Sequence, residues 1–132
     1  MKALYFDCFS GASGDMICGA LIDAGADFEP IKTALLTLGV EGFSPSIERV
    51  KKKGTMATQF RVNVDGSHGH PHRHLRHIVE IINKGDLPES VKKASLETFQ
   101  RIAEAEAEVH GSTPEKIHFH EVGAVDSIVD IV

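Results

Sequence analysis

The alternation of apolar and polar residues in "TQFRVNVD" is the feature that most restricts the fold. Phe60, Val62 and Val64 alternate with polar residues, which is the period of a strand with one buried face. A sheet that buries only one face must pack that face against another layer of the protein. A glycine separates this segment from the extended-looking "SPSIERVKKK", so the sequence predicts a β-hairpin formed by residues 45–52 and 56–65.

Helical spacing of apolar residues indicates the layer that covers the sheet. Predicted helices run from a Ser13 N-cap to Gly25, over residues 28–38, 75–83 and 88–110, and along a final stripe of Val125, Ile128, Val129 and Val132. The buried face of the longest helix is predicted to hold Val91, Phe99, Ile102, Ala103 and Val109. Short apolar segments at residues 2–6 and 116–120 are predicted as strands. We therefore expect an α+β fold with a small mixed sheet and helices packed mainly on one face.

Composition excludes several classes of protein. At 132 residues the chain is about one domain long, and its net charge of −5 argues against a nucleic-acid-binding surface. Two cysteines are too few for a disulfide framework. The sequence has no apolar run of membrane-spanning length and no signal peptide at its start, so we expect a cytoplasmic protein that contacts neither nucleic acid nor membrane.

A Gly/Ser loop, "DCFSGASGDM", connects the first predicted strand to the first predicted helix. This geometry exposes backbone N–H groups and a helix N-terminus, which together can cradle a phosphate. The loop matches neither the P-loop nor the dinucleotide fingerprint. Asp7 and Asp15 repel a bare phosphate and suit a divalent cation, or a phosphate that arrives with one. The structural alternative is that Ser13 caps the helix and the glycines form a tight turn.

The segment "KIHFHEVGAVDSIVDIV" carries residues typical of metal ligands. On a strand, His118 and His120 lie on one face, roughly 7 Å apart. Two such imidazoles can bind Ni, Zn, Cu or Fe, and Glu121 could add an oxygen ligand or act as a general base. Asp126 and Asp130 share one face of the following helix, opposite its apolar stripe. The alternative is that the histidines are only polar residues of an edge strand.

Residues 66–77 form a loop rich in histidine, "GSHGHPHRHLRH". Several imidazoles in a flexible segment can collect Ni or Zn without a fixed geometry, and such a segment is poorly suited to catalysis. The candidate ligands in this loop are His68, His70, His72 and His74. The alternative is a variable polar linker.

Together, "DCFSGASGDM", the histidine loop and "HFHEVGAVDSIVDIV" resemble the LarC family of nickel insertion proteins over the whole chain. The resemblance implies a nickel chelatase with lyase-type activity. It would insert Ni(II) into a pyridinium bisthiocarboxylate mononucleotide, the precursor of the nickel-pincer nucleotide cofactor of lactate racemase. The implied cosubstrate is CTP with Mg or Mn. Residues 1–132 would then be one N-terminal domain of a longer chain, followed by a C-terminal domain that binds most of the CTP.

Chemistry suggests roles for the residues that match the two family motifs. We expect Asp7, Asp15, Glu121 and Asp126 to be catalytic, Ser10, Gly11, Ser13 and Gly14 to bind cofactor, and His118, His120 and Glu121 to bind metal together with the loop histidines. If residues 2–6 and 116–120 are parallel neighbours, Asp7, Asp15, His118, His120 and Glu121 meet in one cleft at the carboxyl ends of the strands.

Two other functions remain open from the sequence. One is a non-catalytic metallochaperone domain that stores nickel, and the other is a generic metal-dependent phosphohydrolase. Expected partners are the nucleotide precursor and, as open alternatives, lactate racemase, the sulfur-transfer enzyme of the pathway or a second copy of the chain.

Overall fold

The computed structural model describes residues 3–9, 11–65, 73–119 and 122–132, and it confirms the α+β class. The elements, in chain order, are α1 (Gly14–Asp23), α2 (Phe28–Leu36), β1 (Phe43–Lys52), β2 (Thr55–Val64), β3 (Arg73–His74), α3 (Leu75–Lys84), α4 (Glu89–His110), a 3-10 turn (Pro114–Lys116), β4 (His118–Phe119) and α5 (Val125–Ile131). None of the helices in these ranges is long and apolar enough to cross a membrane.

The predicted hairpin is confirmed as the antiparallel pair β1–β2, with Ile47 opposite Phe60. Lys53 and Gly54 form the turn, and both have positive φ, at 49° and 90°. This is the turn geometry that matches the right-handed twist of two strands. Phe60 and Pro45 are buried, while the alternate positions carry polar side chains. The one-sided sheet expected from the alternation is therefore present.

Helix α1 packs closely on β2 because the residue of α1 at the contact is a glycine, which has no side chain. Gly19 is the buried residue of α1, and a Cβ added there would lie 2.5 Å from the backbone oxygen of Thr58. At the end of the same helix, Asp23 accepts hydrogen bonds from Arg49 and from the Thr58 hydroxyl. These contacts fix α1 against the apolar face of the hairpin.

The main core lies where α3, α4, β4 and α5 meet. Phe99 and Phe119 are fully buried with ring centroids 6.3 Å apart, and they belong to the same buried cluster as Ile78, Ile82 and Ile128. The Ser95 hydroxyl, also buried, donates to the carbonyl of Ile131 at 3.4 Å and ties α4 to α5. This core holds β4, which carries His118, and α5, which carries Asp126 and Asp130, in place.

Three expectations from the sequence are wrong. Residues 3–6 form no strand and are exposed, and β4 pairs antiparallel with β3, so the parallel pair proposed for residues 2–6 and 116–120 does not form. The strand pairs of the described ranges are antiparallel, with no mixed sheet among them. Val109 is 82% exposed. The buried face of α4 follows Ser95, Phe99, Ala103 and Ala107 at intervals of four residues, and Val109 lies on the opposite face of the helix.

Candidate functional site

The two end motifs of the chain meet at the N-terminus of α1, where Gly14 contacts Asp130 of α5. A Cβ built on Gly14 would lie 2.5 Å from the Cβ and 2.7 Å from Oδ2 of Asp130. Glycine is therefore needed at this position for close packing, whether or not the loop also binds a phosphate. The Asp130 carboxylate therefore lies at the N-terminus of α1, the positive end of the helix dipole.

Asp130 is the most perturbed carboxyl of this acidic cluster, which comprises Asp15, Asp126 and Asp130. Burial, followed by the negative charges of Asp15 and Asp126, raises the pKa of Asp130 from its ordinary 3.8 to about 6. Asp130 Oδ1 is buried without a hydrogen-bond partner in the described part of the chain. A carboxyl that titrates near neutral pH can take up or release a proton during a reaction.

Cys18, one helical turn after Asp15, lies beside this acidic cluster. Its thiol lies 3.9 Å from the backbone oxygen of Asp130. Burial, with the charges of Asp130 and Asp15, raises the pKa of Cys18 to about 11. Cys18 is therefore protonated at neutral pH, and a protonated thiol is a weak nucleophile and metal ligand.

An apolar groove of about 490 Å³ opens beside the acidic cluster. Ile17, Leu21 and Val132 line it, and Cys18 and Asp130 form its polar wall. This volume falls within the roughly 300–1,000 Å³ typical of small-molecule sites. An ionisable group with a shifted pKa in the wall of such a groove is a common mark of a functional site.

The Gly/Ser loop holds its other predicted residues near the surface. Ser13 is the N-cap residue, as predicted, but its hydroxyl donates to the Asp15 carboxylate instead of capping a backbone amide. Gly11 closes a turn in which its amide donates to the carbonyl of Cys8 at 2.9 Å. Asp7 is exposed in the segment before this turn. Asp126 is exposed at the start of α5, where it accepts from the Ser127 amide.

The short β3–β4 pair brings His74 and His118 together. Their ring centroids are 3.8 Å apart, and His74 lies 5.6 Å from the ring of His77. His74 Nδ1 is 3.0 Å from the carbonyl oxygen of Ile117, which can only accept, so Nδ1 carries the proton. His74 Nε2 therefore offers the lone pair when the ring is neutral, and it can act as a metal ligand.

Several predicted site residues fall outside the described ranges, namely Ser10, His68, His70, His72, His120 and Glu121. Within those ranges, no three His, Cys, Asp or Glu side chains are arranged to hold a metal ion. The structure thus joins Gly14 and Asp15 with Asp130, and His74 with His118. The strand pairing that was expected to bring Asp7 to His118 is absent.

The sequence puts Asp130 on one helix face with Asp126 but assigns it no catalytic or metal-binding role, and it assigns none to His77. The signal for Asp130 was available, since two aspartates at i and i+4 in an apolar helix repel each other and seldom occur without a reason. His77 carries no such signal, because its place beside the His74 ring depends on how the chain enters α3.

Comparison with known proteins places these features in one family. The family described as "Nickel insertion protein" matches residues 4–132. The proteins named pyridinium-3,5-bisthiocarboxylic acid mononucleotide nickel insertion protein from Desulfitobacterium hafniense strain DCB-2, Geobacillus kaustophilus and Acetivibrio thermocellus are 52%, 49% and 46% identical to the chain. Each alignment covers 100% of this chain and 32%, 34% and 34% of the relative.

The chain thus spans about a third of the length of these curated relatives. No solved structure matches it significantly. The family match covers nearly the whole chain, including both end motifs and the histidine loop between them. The chain therefore belongs to the nickel insertion protein family.

Proposed function

We propose that this chain takes part in inserting Ni(II) into pyridinium-3,5-bisthiocarboxylic acid mononucleotide, the precursor of the nickel-pincer cofactor of lactate racemase. The observation that carries the proposal is the match of the entire chain to relatives that bear this substrate in their names. Ni(II) is the cargo of the reaction, so a site that holds it weakly and releases it fits the task.

Ligand chemistry supports a transfer from protein to nucleotide. Imidazole and carboxylate hold Ni(II) less tightly than the sulfur and carbon ligands of the product. His118 and His120, with Glu121, are the proposed donors of the ion. His74 lies against His118 and presents Nε2 as a further ligand. The loop histidines His68, His70 and His72 are proposed to collect nickel before this step.

Formation of a nickel–carbon bond requires that the ring carbon lose its proton, and a carboxylate can accept it. The proposed catalytic carboxylates remain Asp7, Asp15, Glu121 and Asp126. Asp130 joins them, because a carboxyl with a pKa of about 6 accepts a proton readily at neutral pH. The contact of Gly14 and Asp15 with Asp130 supports a single site built from both end motifs.

The proposed nucleotide cradle consists of Ser10, Gly11, Ser13 and Gly14 at the start of α1. A helix N-terminus favours a phosphate, and a cation offsets the adjacent carboxylates. CTP with Mg or Mn is the proposed cosubstrate, bound mainly by polypeptide outside these 132 residues. We further propose a cytoplasmic location, with lactate racemase or the sulfur-transfer enzyme of the pathway as partners and self-association as an alternative.

A nickel-storing metallochaperone domain is the second candidate function. The proximity of His74, the last histidine of the candidate ligands in the loop, to His118 favours it, because nickel held by the loop would be stored next to the second motif. In this case the domain would deliver nickel while the chemistry took place elsewhere in the protein.

The test is nickel insertion by the longer family protein carrying His118→Ala and His120→Ala at the aligned positions. We expect insertion to be lost while the circular dichroism spectrum is unchanged. His110→Ala, at the exposed end of α4, is the matched control and should insert nickel normally. Normal insertion by the double variant would contradict the proposed roles. Insertion that is lost at low Ni(II) and restored at high Ni(II) would favour storage.

A further inference from the structure

The apolar groove beside the acidic cluster is built from several helices. Ile17 and Leu21 of α1 line it at a spacing of one helical turn, and α2 contributes Ile31. Helices α4 and α5 add further apolar side chains. Among the described residues that line the groove, only the Cys18 thiol and the Asp130 carboxylate carry polar side-chain atoms. The groove is therefore an apolar surface shared by four helices.

Apolar side chains of this groove remain accessible to solvent. The exposed fractions of Ile17, Leu21 and Ile31 are 41%, 38% and 37%. Single apolar residues on a surface need no explanation, but apolar residues gathered in one concave patch are typical of a surface that another element covers. A nucleotide phosphate would lose hydration against this lining, so the lining favours the apolar side chains of a polypeptide.

The position of Val132 and the length of the relatives indicate which polypeptide covers the groove. Ile131 and Val132 line the groove, so a polypeptide that continues from Val132 starts there. This chain covers only 32% and 34% of the relatives from Desulfitobacterium hafniense and Geobacillus kaustophilus. An extended segment of about ten residues spans up to about 33 Å, which is ample reach from a residue already in the groove. A tethered segment also has a high effective concentration, so modest apolar contacts are enough to hold it.

We propose that, in the longer proteins of this family, the polypeptide that follows the position of Val132 packs apolar side chains into this groove. The groove is then an interface within one chain, between residues 1–132 and the region that follows them. Asp130 lies in the wall of the groove and contacts Gly14 at the start of α1. Docking of the following region therefore closes one side of the acidic cluster.

The test is hydrogen–deuterium exchange, followed by mass spectrometry, on the longer family protein. In the unsubstituted protein, the residues that follow position 132 should exchange more slowly than a free peptide of the same sequence. Ile31→Gln at the aligned position should speed this exchange by about 10-fold, because docking would bury the new amide against apolar side chains. Leu36→Gln is the matched control, since Leu36 is exposed on the same helix but does not line the groove, and it should leave the exchange unchanged.

Equal exchange in the two variants would overturn the proposal. Exchange at the free-peptide rate in the unsubstituted protein would overturn it as well. Light scattering on the same samples measures the molecular mass. A fall in mass in Ile31→Gln alone, with unchanged exchange after position 132, would show that a second copy covers the groove instead.

A second pair of variants on α1 decides the question if Ile31→Gln does not fold. Leu21→Gln removes an apolar side chain from the opposite helix of the groove, and Met16→Gln is its control, because Met16 is exposed on α1 outside the groove lining. Leu21→Gln should speed exchange after position 132 while Met16→Gln does not. Unchanged exchange in Leu21→Gln would again refute docking in the groove.

Discussion

Replacing Asp130 by asparagine should remove a pH-dependent loss of stability. The folded-state pKa of about 6 exceeds the ordinary value of 3.8. The folded chain therefore binds more protons than the unfolded chain between these values, and its stability falls as the pH rises through about 6. A difference of about two pH units corresponds to about 3 kcal/mol. Because Asp130 is only partly buried, solvent screening reduces the expected effect to about 1 kcal/mol.

The assay is urea unfolding, followed by far-ultraviolet circular dichroism, of wild type and Asp130→Asn at pH 4 and pH 7.5. The difference in free energy of unfolding between the two proteins should shift by about 1 kcal/mol in favour of the variant at the higher pH. Asp86→Asn, at an exposed aspartate, corrects for the loss of one negative charge. A difference that does not change with pH, or that shifts in favour of the wild type, would refute the proposed burial of the Asp130 charge.

Two further predictions concern packing. Phe119→Ala should lower the free energy of unfolding by about 3–5 kcal/mol, because the ring is fully buried against Phe99. Val109→Ala should change it by less than about 0.5 kcal/mol, and equal losses in urea titrations of the two variants would contradict the packing of α4. Gly19→Ala should cost about 1–3 kcal/mol, because the new methyl group meets the Thr58 carbonyl. A thermal midpoint equal to that of wild type would show that α1 does not rest on β2.

The elements set by local pattern could be predicted from the sequence. The alternation around Phe60 identified the hairpin and its buried face, and apolar stripes located the helices to within a few residues. Pairing between distant segments could not be predicted in the same way. The apolar segment at residues 3–6 has the composition of a buried strand, but composition does not specify a partner, and these residues pair with none of the described strands. The predicted burial of Val109 was wrong for a related reason, since one apolar residue at the end of a long helix can face the core or the solvent.

The candidate site was predictable in its residue types but not in its arrangement. Motif spacing identified Asp15, His118 and the acids of α5 as chemically relevant. It could not show that Gly14 makes room for Asp130, or that His74 packs on His118, because both contacts depend on how helices and strand ends assemble. The shifted pKa of Asp130 follows from this assembly and not from its position in the sequence.

The exposed segment before the Gly/Ser loop has a consequence for spectroscopy. Tyr5 is the only tyrosine of the chain, which has no tryptophan, and its ring is 87% exposed. Intrinsic fluorescence of the chain therefore comes from one ring that lies outside the core. Emission would change little when the core around Phe99 unfolds, but it would respond when another surface covers the segment from Leu4 to Phe9. Tyr5 emission can therefore report contacts made by this segment, and it is insensitive to unfolding of the core.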